Sequence, residues 1–210
     1  MNFINEKLVF IESEPGIMLE ALIGTNSGNR AVLLAHPHPL YGGNMYNNVV
    51  ESMMEAYFTK GYTTIRFNFR GVGQSSGFYD NGVGERHDLK SVFNYIIRMG
   101  KSEVAMAGYS FGAWIIASCL NELDKVDHVT MVSPPVSVMD FSFIKYDSRI
   151  KLIITGSQDE IAPMDLIETL AKKWNSNVKI EVIEGADHFY WGITSIKDII
   201  QNFLEKEYGL

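Results

Sequence analysis

The chain has 210 residues, 46% of them hydrophobic and 20% charged, which fits one soluble globular domain over residues 1–210 better than two small ones. A net charge of −7 and the lack of any Lys/Arg cluster argue against nucleic acid as a main partner. The single cysteine, Cys119, allows no internal disulfide; it lies in an apolar helical pattern without a neighbouring cation and reads as a small buried hydrophobe.

The N-terminal stretch MNFINEKLVFIESEPG lacks the basic start, long apolar core and small-residue cleavage site of a signal peptide. A cytoplasmic protein with no membrane insertion is therefore expected. KLVFIES (7–13) and IMLEALIG (17–24) flank a Pro-Gly turn and predict an antiparallel hairpin. RAVLLAHP (30–37) is a continuous apolar strand ended by proline, and Val49, Val50, Met53, Met54, Tyr57 and Phe58 follow at helical spacing. YTTIRFNF (62–69) predicts a strand, and Leu89, Val92, Phe93, Ile96 and Ile97 mark a helix face.

Residues 104–121 carry no charge and would be long enough for a membrane span. GYSFG interrupts them, so they read as a strand (103–110) followed by a helix (111–123). Strands at 128–135, 151–157 and 178–185 alternate with helical patterns around Leu166–Trp174 and 193–204. Apolar strands alternating with amphipathic helices predict an α/β fold: a mostly parallel sheet of about eight strands, covered on both faces. In such sheets ligands bind beyond the carboxyl ends of the strands.

Two stretches fit G-x-S-x-G: GQSSG (73–77) and GYSFG (108–112). Ser110 follows directly on a strand and precedes a helix, the context of a nucleophile elbow. Gly108 and Gly112 supply the missing bulk that a sharp turn requires, and the helix N-terminus directs free N–H groups toward a developing oxyanion. Ser75 comes several residues after its strand and is followed by turn residues, so GQSSG reads as a glycine-rich loop. GVGQSSG is also a poor dinucleotide fingerprint: its spacing is G-x-G-x-x-x-G, and no helix opens directly behind it.

A serine hydroxyl needs a base. In elbow architectures the chain order is Ser, then Asp or Glu, then His. His128 and His188 alone follow Ser110, and His128 begins a strand at the wrong end of the sheet. His188, in GADHFYWG beyond the last strand, has the right order and the right end. Asp159 follows the strand KLIITGS directly and is the expected acid; Asp140 is the runner-up. The oxyanion donors are expected to be the Phe111 N–H and one from HPHPLYGGNM, with His38 favoured and Tyr41 next. His36 and His38 are a weak metal signal, with no third ligand placed by sequence, so no metal or other cofactor is expected.

HPHPLYGGNM, FNFRGVGQSSG, GVGER, GYSFG, GSQDEIAP and GADHFYWG together resemble the α/β-hydrolase superfamily. More narrowly, they are similar to its small bacterial serine-hydrolase branch, near dienelactone-hydrolase-like and acyl-peptidase-like members. The resemblance implies an eight-stranded sheet with Ser110, Asp159 and His188 as a triad. Serine rather than cysteine at the elbow departs from dienelactone hydrolase. Residues 137–149, between the sixth and seventh strands, leave no room for the cap domain many relatives carry. An open site follows, with Tyr41, Met45, Phe78, Tyr79, Pro134, Phe189 and Trp191 as candidates for its apolar wall.

The expected activity is hydrolysis of small carboxylic esters or thioesters through an acyl-enzyme. Peptide or amide cleavage on the same fold, and a non-catalytic ligand-binding homologue, are the alternatives.

Overall fold

The computed structural model describes residues 4–210. Eight strands form one sheet: β1 (Glu6–Glu14), β2 (Ile17–Gly24), β3 (Arg30–Ala35), β4 (Thr63–Phe67), β5 (Glu103–Tyr109), β6 (Val126–Val132), β7 (Ile150–Gly156) and β8 (Lys179–Ile183). Their spatial order is β1-β2-β4-β3-β5-β6-β7-β8. The first two strands make the expected antiparallel hairpin, β2 pairs antiparallel with β4, and all pairs from β4 across to β8 are parallel. Four helices lie between strands, α1 (Asn48–Thr59), α2 (Val83–Arg98), α3 (Phe111–Cys119) and α4 (Met164–Trp174), and α5 (Ser195–Tyr208) follows β8.

Side-chain alternation divides the interior into two layers. Ala31, Leu33 and Ala35 of β3 point to the face covered by α2, α3 and α4, where Phe93, Ile116 and Trp174 pack. Val32 and Leu34 point to the other face, beneath α1 and α5, with Met53, Tyr57, Ile200 and Phe203. Both faces of the parallel strands are therefore dry, which is why those strands read as unbroken apolar runs.

Element ends depart from the sequence expectation where polar chemistry intervenes. Helix α2 starts six residues before Leu89, because the Glu85 carboxylate accepts the N–H groups of Asp80 and Gly82 at 2.9 and 2.7 Å and closes its first turn. Strand β6 stops at Val132, since Ser133 turns to φ 44° and Pro134 and Pro135 have no N–H to donate. Helix α3 ends at Cys119 and tightens into a 3-10 turn at Leu120–Glu122.

Between β6 and β7 the described chain forms neither helix nor strand, so no cap covers the carboxyl edge of the sheet. Among the described residues, no helix is long and apolar enough to cross a membrane.

Candidate active site

Five strands deliver polar side chains to one edge of the sheet: His36 after β3, Ser110 after β5, Ser133 after β6, Asp159 after β7 and His188 after β8. Ser110 takes φ 53°, ψ −118°, the strained backbone of an elbow. Its neighbours are glycine for reasons of space. A Cβ on Gly108 would lie 2.6 Å from the Ala113 nitrogen, and one on Gly112 would lie 2.3 Å from the Ala35 carbonyl oxygen. The Ser110 N–H donates to the Val132 carbonyl at 2.9 Å, which fastens the elbow to β6.

The Ser110 hydroxyl lies 3.0 Å from His188 Nε2, and His188 Nδ1 lies 2.9 Å from Asp159 Oδ2. The acceptor-only carboxylate assigns the ring proton to Nδ1, so Nε2 presents a lone pair to the hydroxyl. Asp159 Oδ1 also accepts the N–H groups of Ile161 and Ala162 at 2.9 and 2.8 Å, and the Ser133 hydroxyl donates to Oδ2 at 2.6 Å. Burial alone would raise the Asp159 carboxyl. The hydrogen bond and charge of His188, then Ser133 and the Ala162 N–H, outweigh it and hold the group below the usual carboxylate range. Ser110, Asp159 and His188 are thus brought together as the chain order predicts.

Asp140, the runner-up, lies elsewhere; it is exposed and accepts from the Ser142 N–H and hydroxyl. His128 is buried at the opposite end of the sheet, bonded to Tyr57 and Asp127 and stacked on Tyr208. Burial pushes the Cys119 thiol up to about 12, in keeping with an inert side chain.

The loop after β3 is held by His36. Its Nε2 accepts the Phe69 N–H at 3.0 Å, so the proton is on Nδ1, which donates to the Pro37 carbonyl at 2.6 Å. Burial holds this ring near pKa 4, against the opposing effect of the Pro37 hydrogen bond, and so keeps it neutral. In a trans peptide the C=O and N–H point in opposite directions. With the Pro37 carbonyl turned onto the buried ring, the His38 N–H faces away from it. The Tyr41, Gly42 and Gly43 N–H groups bond to the His38 and Pro39 carbonyls, and the Leu40 N–H bonds to His38 Nδ1. The Tyr41 N–H is therefore committed to the turn, which removes it as an oxyanion donor. Neither the His38 nor the Phe111 N–H has a backbone partner of this kind.

A cavity of about 670 Å³ opens over Ser110. Pro37, His38, Tyr41 and Gly43 line one side, and Pro135, Val138, Met139 and Ile161 another; Tyr109, Phe111, His188 and Phe189 also contribute. No Asp, Glu, Lys or Arg is among its lining residues. Two wall candidates, Tyr41 and Phe189, are in place. Met45 is not: it is fully buried, where its backbone bonds to Asn68 and Arg66. Phe78 and Trp191 are 88% and 78% exposed and lie outside the lining. Pro134 is buried beside its lining neighbour Pro135. Tyr79 stands behind the wall, its hydroxyl 3.1 Å from His38 Nε2. Val138, Met139 and Ile161 were not legible, because the segment 133–149 has no periodic pattern to fix its path.

Ser75, in the second G-x-S-x-G, is buried; its hydroxyl donates to the Asn68 carbonyl at 2.7 Å and accepts the Glu20 N–H at 2.9 Å. It pins the glycine-rich loop to β2 and to the residue just after β4, and has no histidine partner.

Comparison with known proteins agrees with this architecture. The family model of the X-Pro dipeptidyl-peptidase (S15) family matches residues 25–160. An uncharacterised protein of Rickettsia prowazekii is 38% identical over 168 residues, 75% of this chain and 71% of its own length. An α/β serine hydrolase homologue from Coxiella burnetii superimposes with a TM-score of 0.88 at 34% identity, covering 97% of this chain and 100% of its own. A serine hydrolase without a lid from Xanthomonas campestris gives 0.83 at 26% identity, with 96% and 94% covered. Matched over most of its length by the family model and along nearly all of it by lidless hydrolase structures, the chain belongs to the S15 family and is a hydrolase of the lidless branch of the α/β-hydrolase superfamily.

Proposed function

We propose that the protein hydrolyses small, uncharged carboxylic esters or thioesters through an acyl-enzyme on Ser110. The observation that carries this reading is the continuous Ser110–His188–Asp159 hydrogen-bonded chain, opening into a cavity whose lining includes no charged residue. In this mechanism His188 Nε2 takes the Ser110 proton as Oγ attacks the carbonyl carbon, and Asp159 stabilises the imidazolium that forms. The oxyanion is held by the N–H groups of Phe111 and His38. His188 then protonates the leaving alcohol or thiol. Water, deprotonated by the same ring, attacks the acyl-Ser110 ester and releases the acid. No metal or cofactor is required, and a cytoplasmic location belongs to the same proposal.

The family name supports a second reading, release of an Xaa-Pro dipeptide from a free N-terminus. That reaction places a substrate ammonium on the residue just before the proline whose carbonyl is attacked and calls for a buried or paired carboxylate to hold it. The cavity lining contains none. Glu160, Asp165, Glu168 and Asp187 instead line a separate open depression, as does Asp159.

A panel of short p-nitrophenyl esters, acyl thioesters and Xaa-Pro-p-nitroanilides, run on wild type and Ser110→Ala, separates the readings. Ester or thioester turnover that disappears in Ser110→Ala is the expected outcome. Preferential turnover of the anilides would replace it with the peptidase reading.

A further inference from the structure

Behind Asp159 the hydrogen-bonded chain continues. Ser133 Oγ lies 2.6 Å from Asp159 Oδ2 and 2.6 Å from the Tyr190 hydroxyl. An ionised carboxylate only accepts, so the one proton of Ser133 goes to Asp159, and Tyr190 must donate to Ser133. The direction of every bond is thereby fixed, from Tyr190 through Ser133 to Asp159. All three groups are buried. Burial raises the Tyr190 phenol, against the lowering effect of Ser133, so it stays a donor across the working pH range.

The backbone supplies an independent observation. Among the described residues, four non-glycine positions have positive φ: Asn81, Ser110, Ser133 and Tyr190. Three of the four belong to this one chain of hydrogen bonds. At φ 44° and 55° glycine would be the unstrained choice for Ser133 and Tyr190, yet both positions carry the hydroxyls that the network uses.

Tyr190 also lies two residues beyond His188, and its ring packs edge-on against Tyr109 at 6.1 Å. The Tyr109 hydroxyl donates to the His188 carbonyl. The loop that carries the base is therefore tied both to the strand that carries the nucleophile and to the rear of the acid.

We propose that Ser133 and Tyr190 are positioning residues of the hydrolytic site, acting through Asp159: they fix the plane of its carboxylate and draw charge from Oδ2, and so moderate its hold on the His188 proton. The proposal rests on Ser110, His188 and Asp159 being the reacting set. Oδ1 is pinned by two backbone N–H groups, whereas Ser133 is the one non-histidine donor on Oδ2. Loss of that donor leaves more negative charge facing Nδ1, which stabilises the protonated imidazole. The other ionisable groups facing the pair are Asp187, in the same loop, and Tyr109, from β5. Neither changes in the variants proposed.

The test uses Tyr190→Phe, Ser133→Ala, Ser133→Gly and the double variant Tyr190→Phe/Ser133→Ala. Glycine relieves the backbone at position 133 while removing the same hydroxyl, so equal effects of alanine and glycine assign the effect to the hydroxyl. The first readout is the low-field proton resonance of the His188 ring followed against pH, which needs no turnover. Its titration is expected to move to higher pH by on the order of 0.5 unit in each single variant.

The second readout is ester hydrolysis, where kcat is expected to fall about three- to tenfold, the effect of one ordinary hydrogen bond, with KM unchanged. The double variant should match Ser133→Ala alone, because Tyr190 acts through Ser133. A titration that stays at the wild-type midpoint in Tyr190→Phe and Ser133→Gly, or additive losses in the double variant, would overturn the proposal. Failure of the hydrolase reading looks different: wild type would turn over nothing, and the resonance would still decide the role of the two hydroxyls.

Discussion

At the scale of single residues, His36 shows how a side chain with no chemistry of its own sets the geometry of a site. Both ring nitrogens are spent on backbone groups, and the ring stays neutral. Its folded-state pKa is lowered from 6.5 to about 4, so between these values the unfolded chain binds a proton that the native ring does not. Stability therefore rises with pH through that window, and on acidification from 7 to 4 this one group removes on the order of 3 kcal/mol. Urea unfolding of wild type and His36→Asn at several pH values checks this. Wild type should be the more stable at pH 7, and the gap should narrow steadily to pH 4.

Gly43 makes the same point sterically, since a Cβ there would lie 2.1 Å from the Pro37 carbonyl oxygen. Gly43→Ala must turn the Pro37–His38 peptide, and with it the His38 N–H. In the proposed mechanism this N–H helps hold the oxyanion, and loss of one such donor costs about 10² in kcat, so a fall of that order with KM little changed is expected in ester kinetics.

At the scale of elements, the elbow depends on how closely α3 approaches β3. Gly112 has no room for a Cβ against Ala35, so Gly112→Ala must lift the first turn of α3, which carries the Phe111 N–H. A stability loss of about 1–3 kcal/mol, read as a lower denaturant midpoint, and a fall in kcat are expected together.

This element was the most legible part of the chain. A strand charge-free from Val104 onward, a glycine-flanked serine and an immediate helix leave few alternatives, and chain order with position at a strand end then selects Asp159 and His188. Ser133 and Tyr190 were not legible. They lie 57 residues apart, and nothing in a serine after a strand or a tyrosine in a loop announces a mutual bond. Met45 was misplaced for a related reason: an apolar residue beside a glycine-rich loop reads equally as cavity wall or core, and its backbone bonds to Asn68 and Arg66 decide for core. The start of α2 was missed because it rests on the Glu85 carboxylate and not on apolar spacing.

At the scale of the whole molecule, five strands of one sheet end at one edge, and each delivers a group to the site. The sheet is thus the device that brings residues distant in sequence into one constellation. The absence of helix or strand between β6 and β7 leaves that edge uncapped, so the loops after β3, β6, β7 and β8, with the β5–α3 junction at Tyr109–Phe111, shape the cavity. Such a site excludes water only where substrate fills it.

In the proposed mechanism Ser110 is a nucleophile activated by His188. The most direct measurement is labelling with a fluorophosphonate, followed by intact-mass and peptide analysis. Stoichiometric modification at Ser110, abolished in Ser110→Ala and strongly slowed in His188→Ala, is the predicted result. An unmodified wild-type protein, or modification that persists in Ser110→Ala, would contradict it.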